Sequence, residues 1–362
     1  MRSRPWRVTS PAPRDVWCEL LASDPDAVIY QTPEWLDCVC QATGWKDVSR
    51  LYETGADRQV VLPMVQAPRL PPRMATRASL PANWGYADII ASPGDRIANV
   101  RMVAADLAAD SCLRTSVKPG PASRNPWEAS VRNSAVHITH TVHTLDLTGG
   151  FSEVWGKRFP SKTRTKVRKV ESADIDVEYD DTGRLMPVYY DLYKKSIERW
   201  ATRERLPRAV TRLRWLKKRE RLDKFLLVSR HLQSACRVWV ATVQGSPAAA
   251  VITLVHGANA MYWRSAMDRD LAGRANYLLQ KLAIEDACAE GCTRYFMGES
   301  TPSIAEYKSA FGARPQDYTE VRFERIPLTR TQDRARMAGE RLNSRLSGKQ
   351  DSRGSDEIVA SH

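Results

Sequence analysis

Four apolar runs follow one another at short intervals between Phe225 and Ala266, and their order constrains the fold more than any other feature of the chain. Phe225–Arg230, Cys236–Gln244, Ala248–His256 and Ala260–Ala266 are each of strand length and are parted by short breaks. That pattern predicts consecutive antiparallel strands. From Tyr277 to Ala287 the apolar residues recur instead at three and four, which predicts a helix, and Gly291 stands where a glycine ends one. A strand at Thr293–Met297, a loop at Gly298–Pro302, a short helix over Ile304–Phe311 and a last strand at Glu320–Arg325 complete the series. Helices, a meander, a helix and a final strand place the chain in the α/β or α+β class.

Upstream, Thr32-Pro33 ahead of Glu34-Trp35-Leu36 reads as a capped helix start. Val48–Tyr52 and Val60–Val65 flank turn residues and predict a hairpin. Pro68–Pro93, with Asn83-Trp84-Gly85-Tyr86, reads as an aromatic loop over a surface or a site. A helix is expected over Ile97–Ala109 and a strand over Thr139–Leu147, after which Gly149-Gly150 marks a boundary. Helical patterns then cover 151–172 and Leu185–Arg221, with a strand at Ile175–Tyr179 between them. A chain of 362 residues is longer than a single core usually grows, so two domains are expected. The polar end, Ser347–His362, has the composition of a disordered tail.

The net charge of +13 favours a polyanionic partner such as RNA, a nucleotide-linked substrate or a pyrophosphate, although 41 Arg against 14 Lys also fits a GC-rich coding bias. Seven cations and no acid lie between Lys157 and Lys169. Arg199–Lys224 adds eleven cations against three acids, with Arg208, Arg212 and Lys218 able to line one face. A phosphate backbone and plain solvent are both possible counterparts of such helices. Seven cysteines without a CxxC pair suit a reducing compartment. With no signal-peptide pattern and no apolar run of about 18 residues, the chain is expected to be soluble and cytoplasmic. His137, His140 and His143 alternate faces on a strand, so no metal site is expected from them, and Cys288 and Cys292 read as structural.

One group of segments carries a family resemblance. Arg274-Ala275-Asn276-Tyr277-Leu278-Leu279, Tyr295-Phe296-Met297-Gly298-Glu299-Ser300 and Glu306-Tyr307-Lys308-Ser309-Ala310-Phe311-Gly312 look like the carboxy-terminal GNAT module of Fem-type transferases. Gln31–Trp35, Arg164–Lys169 and Tyr262–Ala266 agree with it in order and spacing. The chain therefore resembles the Fem family of aminoacyl-tRNA-dependent peptidyltransferases across about residues 28–325. The resemblance implies two GNAT-like modules in tandem, at 1–148 and 149–315, meeting at a cleft. A final strand within 316–335 would return to the first module, ahead of a tail at 336–362.

It also implies roles. Lys308 would stabilise an oxyanion or the terminal ribose and phosphate, Tyr307 would shape the donor pocket, and Tyr262 would face the cleft. The other reading of Lys308 is an exposed lysine on a short helix whose Tyr307 and Phe311 face the core. Donor or phosphate contacts fall to Arg164, Arg168, Lys169, Arg199, Gly273 and Arg274, and acceptor contacts to Trp35, Trp84, Tyr86 and Arg264. Fem enzymes acting on cell-wall precursors often carry a lysine just ahead of a tryptophan, whereas here Lys46 follows Trp45, which leaves room for an antibiotic or other small amine. With one glycine in Asp270–Asn276, the loop is a poor cradle for the pyrophosphate of CoA. The expected function is amide formation from aminoacyl-tRNA, as co-substrate, to a small-molecule or peptide amine, with no resident cofactor. An acyl-CoA-dependent N-acetyltransferase and a non-catalytic RNA-binding protein are the alternatives.

Overall fold

The structure is a computed structural model that describes residues 6–331, apart from 55–57, 70, 122–123, 132–134, 174, 204–219, 300–301 and 330. Arg208, Arg212, Lys218 and the polar tail lie outside the described residues.

The amino-terminal half begins with β1 (Trp6–Thr9), α1 (Arg14–Ser23) and α2 (Pro33–Thr43). Local chemistry sets the limits of α2: the Thr32 hydroxyl accepts from the Trp35 amide at 3.2 Å, Pro33 fills the first turn and Gly44 ends the helix at φ 71°. Short strands β2 (Lys46–Asp47), β3 (Arg50–Thr54), β4 (Arg58–Leu62), β5 (Val65–Gln66), β6 (Thr76–Ala78) and β7 (Ile90–Ala91) follow. The expected hairpin is β3 against β4, with Leu51 opposite Val61. After α3 (Arg96–Ala108) come β8 (Arg114–Val117), α4 (Arg124–Val131) and β9 (Val136–Asp146).

In the second half, α5 (Gly150–Glu153) runs through a π-helical turn at Val154–Arg158, and α6 (Ser161–Glu171) starts afresh beyond Pro160. The single helix expected over 151–172 is thus broken by Phe159-Pro160. Strand β10 (Ile175–Asp180), α7 (Met186–Arg203) and α8 (Leu222–Leu232) precede the meander β11 (Cys236–Val243), β12 (Ser246–His256) and β13 (Asn259–Met267). Then come α9 (Arg269–Ala272), α10 (Ala275–Ala289), β14 (Arg294–Glu299), α11 (Pro302–Ser309) and β15 (Arg314–Glu324).

One expectation is corrected. Phe225–Arg230 is not a strand but the middle of α8. Phe225, Val228, Ser229 and Leu232 are buried along one face, at the three-and-four spacing of a helix. The apolar run looked strand-like because Leu226 and Leu227 fill the positions between.

Among the described residues, an 11-stranded sheet runs β10-β11-β12-β13-β14-β9-β15-β8-β6-β5-β2, beside a 4-stranded sheet β1-β3-β4-β7. Strand β15 lies between β9 and β8, antiparallel to both, with Tyr318 opposite His140 and Val321 opposite Val117. A core spanning both halves packs Trp35 against Tyr30, Trp84 and Trp263 at centroid distances of 4.8, 5.5 and 5.7 Å.

Past α11 the chain turns at Gly312, whose φ is +84° and where an added Cβ would stand 2.3 Å from the Arg158 carbonyl oxygen. Both the backbone conformation and the contact exclude a larger residue. Replacing Gly312 with alanine is therefore expected to destabilise the protein by about 2–4 kcal/mol, read as a lower denaturant midpoint.

Candidate active site

The site begins where two neighbouring strands part. Strands β13 and β14 are parallel and pair only over Asn259–Met261 against Arg294–Phe296. Irregularities sit just beyond: a register shift on β13 leaves Trp263 without an opposite number on β12, and another on β14 falls between Phe296 and Glu299. Between the separated strands opens a cavity of about 890 Å³. Residues 262–267 and 297–299 form its walls, and Tyr30, Gly85, Tyr86 and Lys118 reach it from the amino-terminal half.

Lys308, on α11, is 2% exposed and lines this cavity. Its ammonium donates to the carbonyl oxygens of Gly298 and Glu299, both at 2.8 Å. Gly298, at φ +71°, supplies a backbone conformation that other residues rarely adopt. Burial pushes the Lys308 pKa down to about 8, against the opposing pull of the Glu299 carboxylate. Tyr307 lines the same cavity, its hydroxyl donating to the Asn276 carbonyl at 3.2 Å and its ring edge-on to Tyr277 and Phe311. Tyr262 donates to the Ser265 hydroxyl, and burial pushes its phenol up to about 12, so it stays protonated at neutral pH.

A cluster that sequence reasoning missed adjoins the lysine. The Glu299 carboxylate accepts from Lys118 Nζ at 2.5 Å and from the Tyr318 hydroxyl at 2.6 Å. His140 lies 3.6 Å from the same carboxylate and 3.0 Å from Glu320, stacked on Tyr318. Those two carboxylates raise the imidazole pKa above its ordinary value. Glu299 in turn is held far below the usual carboxylate range by His140, Lys118 and Tyr318, which outweigh its burial. Lys118 gives no sequence signal, and the spacing of His140 bears only on metal binding. Glu299 stood inside a motif without a role.

Other candidates are scattered. Tyr86, Arg199 and Arg264 line the cavity. Arg264 is engaged by Glu220 at 3.2 Å and by the Asn83 carbonyl at 3.3 Å, while Glu220 also binds Lys224. Lys224 sits 4.1 Å from the Trp84 ring centroid and is pushed down to about 8 by burial. Arg199 donates to the Met267 carbonyl at 3.0 Å. Trp35 is fully buried and Trp84 nearly so, and neither lines the cavity. Arg164 lies off it too, donating to the carbonyls of Trp155, Gly156 and Phe159 around the π-turn. Arg168, over the Trp155 ring, and Lys169 are exposed. Gly273 and Arg274 are exposed ahead of α10, whose Asn276 does reach the cavity.

Residues 157–309 match the model of an acetyltransferase (GNAT) domain. No curated protein sequence matches the chain. The solved structure of FemX is similar, with a TM-score of 0.65 at 11% identity, over 88% of this chain and 97% of FemX. A conserved protein of unknown function from Bacteroides thetaiotaomicron gives 0.51 at 10% identity, over 88% of this chain and 99% of that one. A tandem GNAT protein from the clavulanic acid biosynthesis pathway, solved without AcCoA, gives 0.48 at 14% identity, over 89% and 99%. The matched domain contains β13, β14 and Lys308, the elements around which the cavity forms. Residues 157–309 are thus similar to an acetyltransferase (GNAT) domain, and the chain as a whole shares the fold of FemX.

Proposed function

We propose that the protein forms an amide by direct attack of an acceptor amine on the ester carbonyl of an aminoacyl-tRNA, in the cytoplasm and without a resident cofactor. The acceptor is a small molecule or peptide, an antibiotic or a cell-wall precursor. The observation that carries this reading is the Lys308 ammonium, buried beside the cavity and fixed by two carbonyls. An ammonium has three donors, and the third is available to an oxygen in the cavity. As the amine adds, the carbonyl oxygen gains negative charge, and a cation fixed in a poorly hydrated site stabilises it strongly. The Tyr262 proton goes to Ser265, so the phenol oxygen can accept an N–H of the incoming amine. The C–O bond to the ribose then breaks, and the departing hydroxyl takes up the proton that the amine loses.

The turn before α10 supports tRNA over CoA. There the Asp268 carboxylate already takes the Asp270 amide at 3.1 Å and pairs with Lys195 at 2.7 Å. An acid in that place repels a pyrophosphate and occupies an amide that would hold one.

Lys308→Met is expected to lower kcat by about 10²–10³-fold, the scale of losing one oxyanion donor. The cation is the active form and its folded pKa is near 8, so wild-type turnover should fall as pH rises through that value. That alkaline limb should be absent from the residual activity of Lys308→Met. In a coupled aminoacylation assay, ribonuclease should abolish product; product made from acyl-CoA in its presence would establish the CoA alternative.

A further inference from the structure

One charged group of the cavity has no part in that chemistry. Among the described residues lining it, Glu299 is the sole carboxylate, set with Lys118, Arg199, Arg264 and Lys308. Its contacts are one-sided. Lys118 Nζ, the Tyr318 hydroxyl and the His140 ring all meet Oε1, at 2.5, 2.6 and 3.6 Å. Among the described residues Oε2 has no partner, and the side chain is 48% exposed. An ionised carboxylate oxygen open to a cavity is a receptor for a cationic N–H donor.

Aminoacyl transfer brings two such donors. The acceptor amine must attack in its neutral form and then lose a proton, whereas the α-ammonium of the transferred aminoacyl group keeps its charge throughout. Glu299 suits the second. The donors gathered on Oε1 make it a poor proton acceptor, unfit as a general base and well suited to hold a permanent cation. Its own carbonyl oxygen fixes the Lys308 ammonium at 2.8 Å. One residue therefore carries the anion and orients the cation, just as one α-carbon of an aminoacyl group carries both ammonium and carbonyl.

We infer that Glu299 selects an acyl group bearing an α-ammonium, Oε2 accepting from that ammonium while Lys308 faces the adjacent carbonyl. The inference rests on acyl transfer at this cavity but not on the carrier being tRNA. An acetyl group would leave Oε2 unpaired.

Ligand-observed NMR titrations of the full chain with L-alaninamide and with propionamide test it. Wild type should bind L-alaninamide about tenfold or more tightly than propionamide, the scale of one charge-assisted hydrogen bond. Glu299→Gln should remove the difference by weakening L-alaninamide alone. Equal affinities in wild type, binding of neither amide, or a preference that survives Glu299→Gln would each overturn the inference. Should that variant not fold by circular dichroism, Glu299→Asp replaces it: a reduced preference supports the role and a full one overturns it. Retained preference with ribonuclease-insensitive transfer would remove the tRNA reading and leave Glu299 in place. Ribonuclease-sensitive transfer without the preference would do the reverse.

Discussion

Three residue pairs hold β13 beside β14, and the site exists because the pairing stops after them. Beyond Met261 and Phe296, backbone groups that would have bonded across the sheet must find other partners. The Lys308 ammonium takes two carbonyl oxygens at this end of β14, those of Gly298 and Glu299. The lysine is thus fixed at the edge of the gap. Continuous pairing would close the cavity and leave a buried ammonium without acceptors, which is costly in a low-dielectric interior.

The charges around the gap belong to neither half alone. Glu299 comes from β14, Lys118 from just past β8, His140 from β9 and Tyr318 from β15, and they meet because those strands are neighbours in the large sheet. At another wall, Glu220 is shared by Arg264 and Lys224, so one carboxylate offsets two cations. Paired charges of this kind contribute little net stability but fix the geometry of the groups they hold.

How much of this the sequence reveals depends on whether the signal is local. The Thr32-Pro33 cap, the helix ended by Gly291 and the aromatic-lysine pair at 307–308 are short-range patterns, and each was legible. Phe225–Arg230 misled because six apolar-rich residues suit strand or helix, and packing of α8 against α2 decides. Glu299, His140 and Lys118 could not be found by spacing. The links between Glu299 and Lys118 and between His140 and Glu320 span sequence separations of 181 and 180, and only sheet order brings them together. Trp35 and Trp84 were misleading in another way, since an aromatic reads the same whether it faces a core or a crevice. Arg164 is drawn to the carbonyls of a π-turn that no periodicity announced.

Strand β15 has a bearing on how the molecule comes to exist. In the large sheet it is the link between a block of six strands ending at β9 and a block of four beginning at β8, among the described residues. Ribosomal synthesis delivers it after every other described strand, so until about residue 324 has emerged, the facing edges of β8 and β9 are bare and open to mispairing. A chain interrupted before that point would lack the seam that unites the two blocks, and Tyr318 with it. Premature termination should therefore yield sticky, aggregation-prone fragments and not a smaller working enzyme.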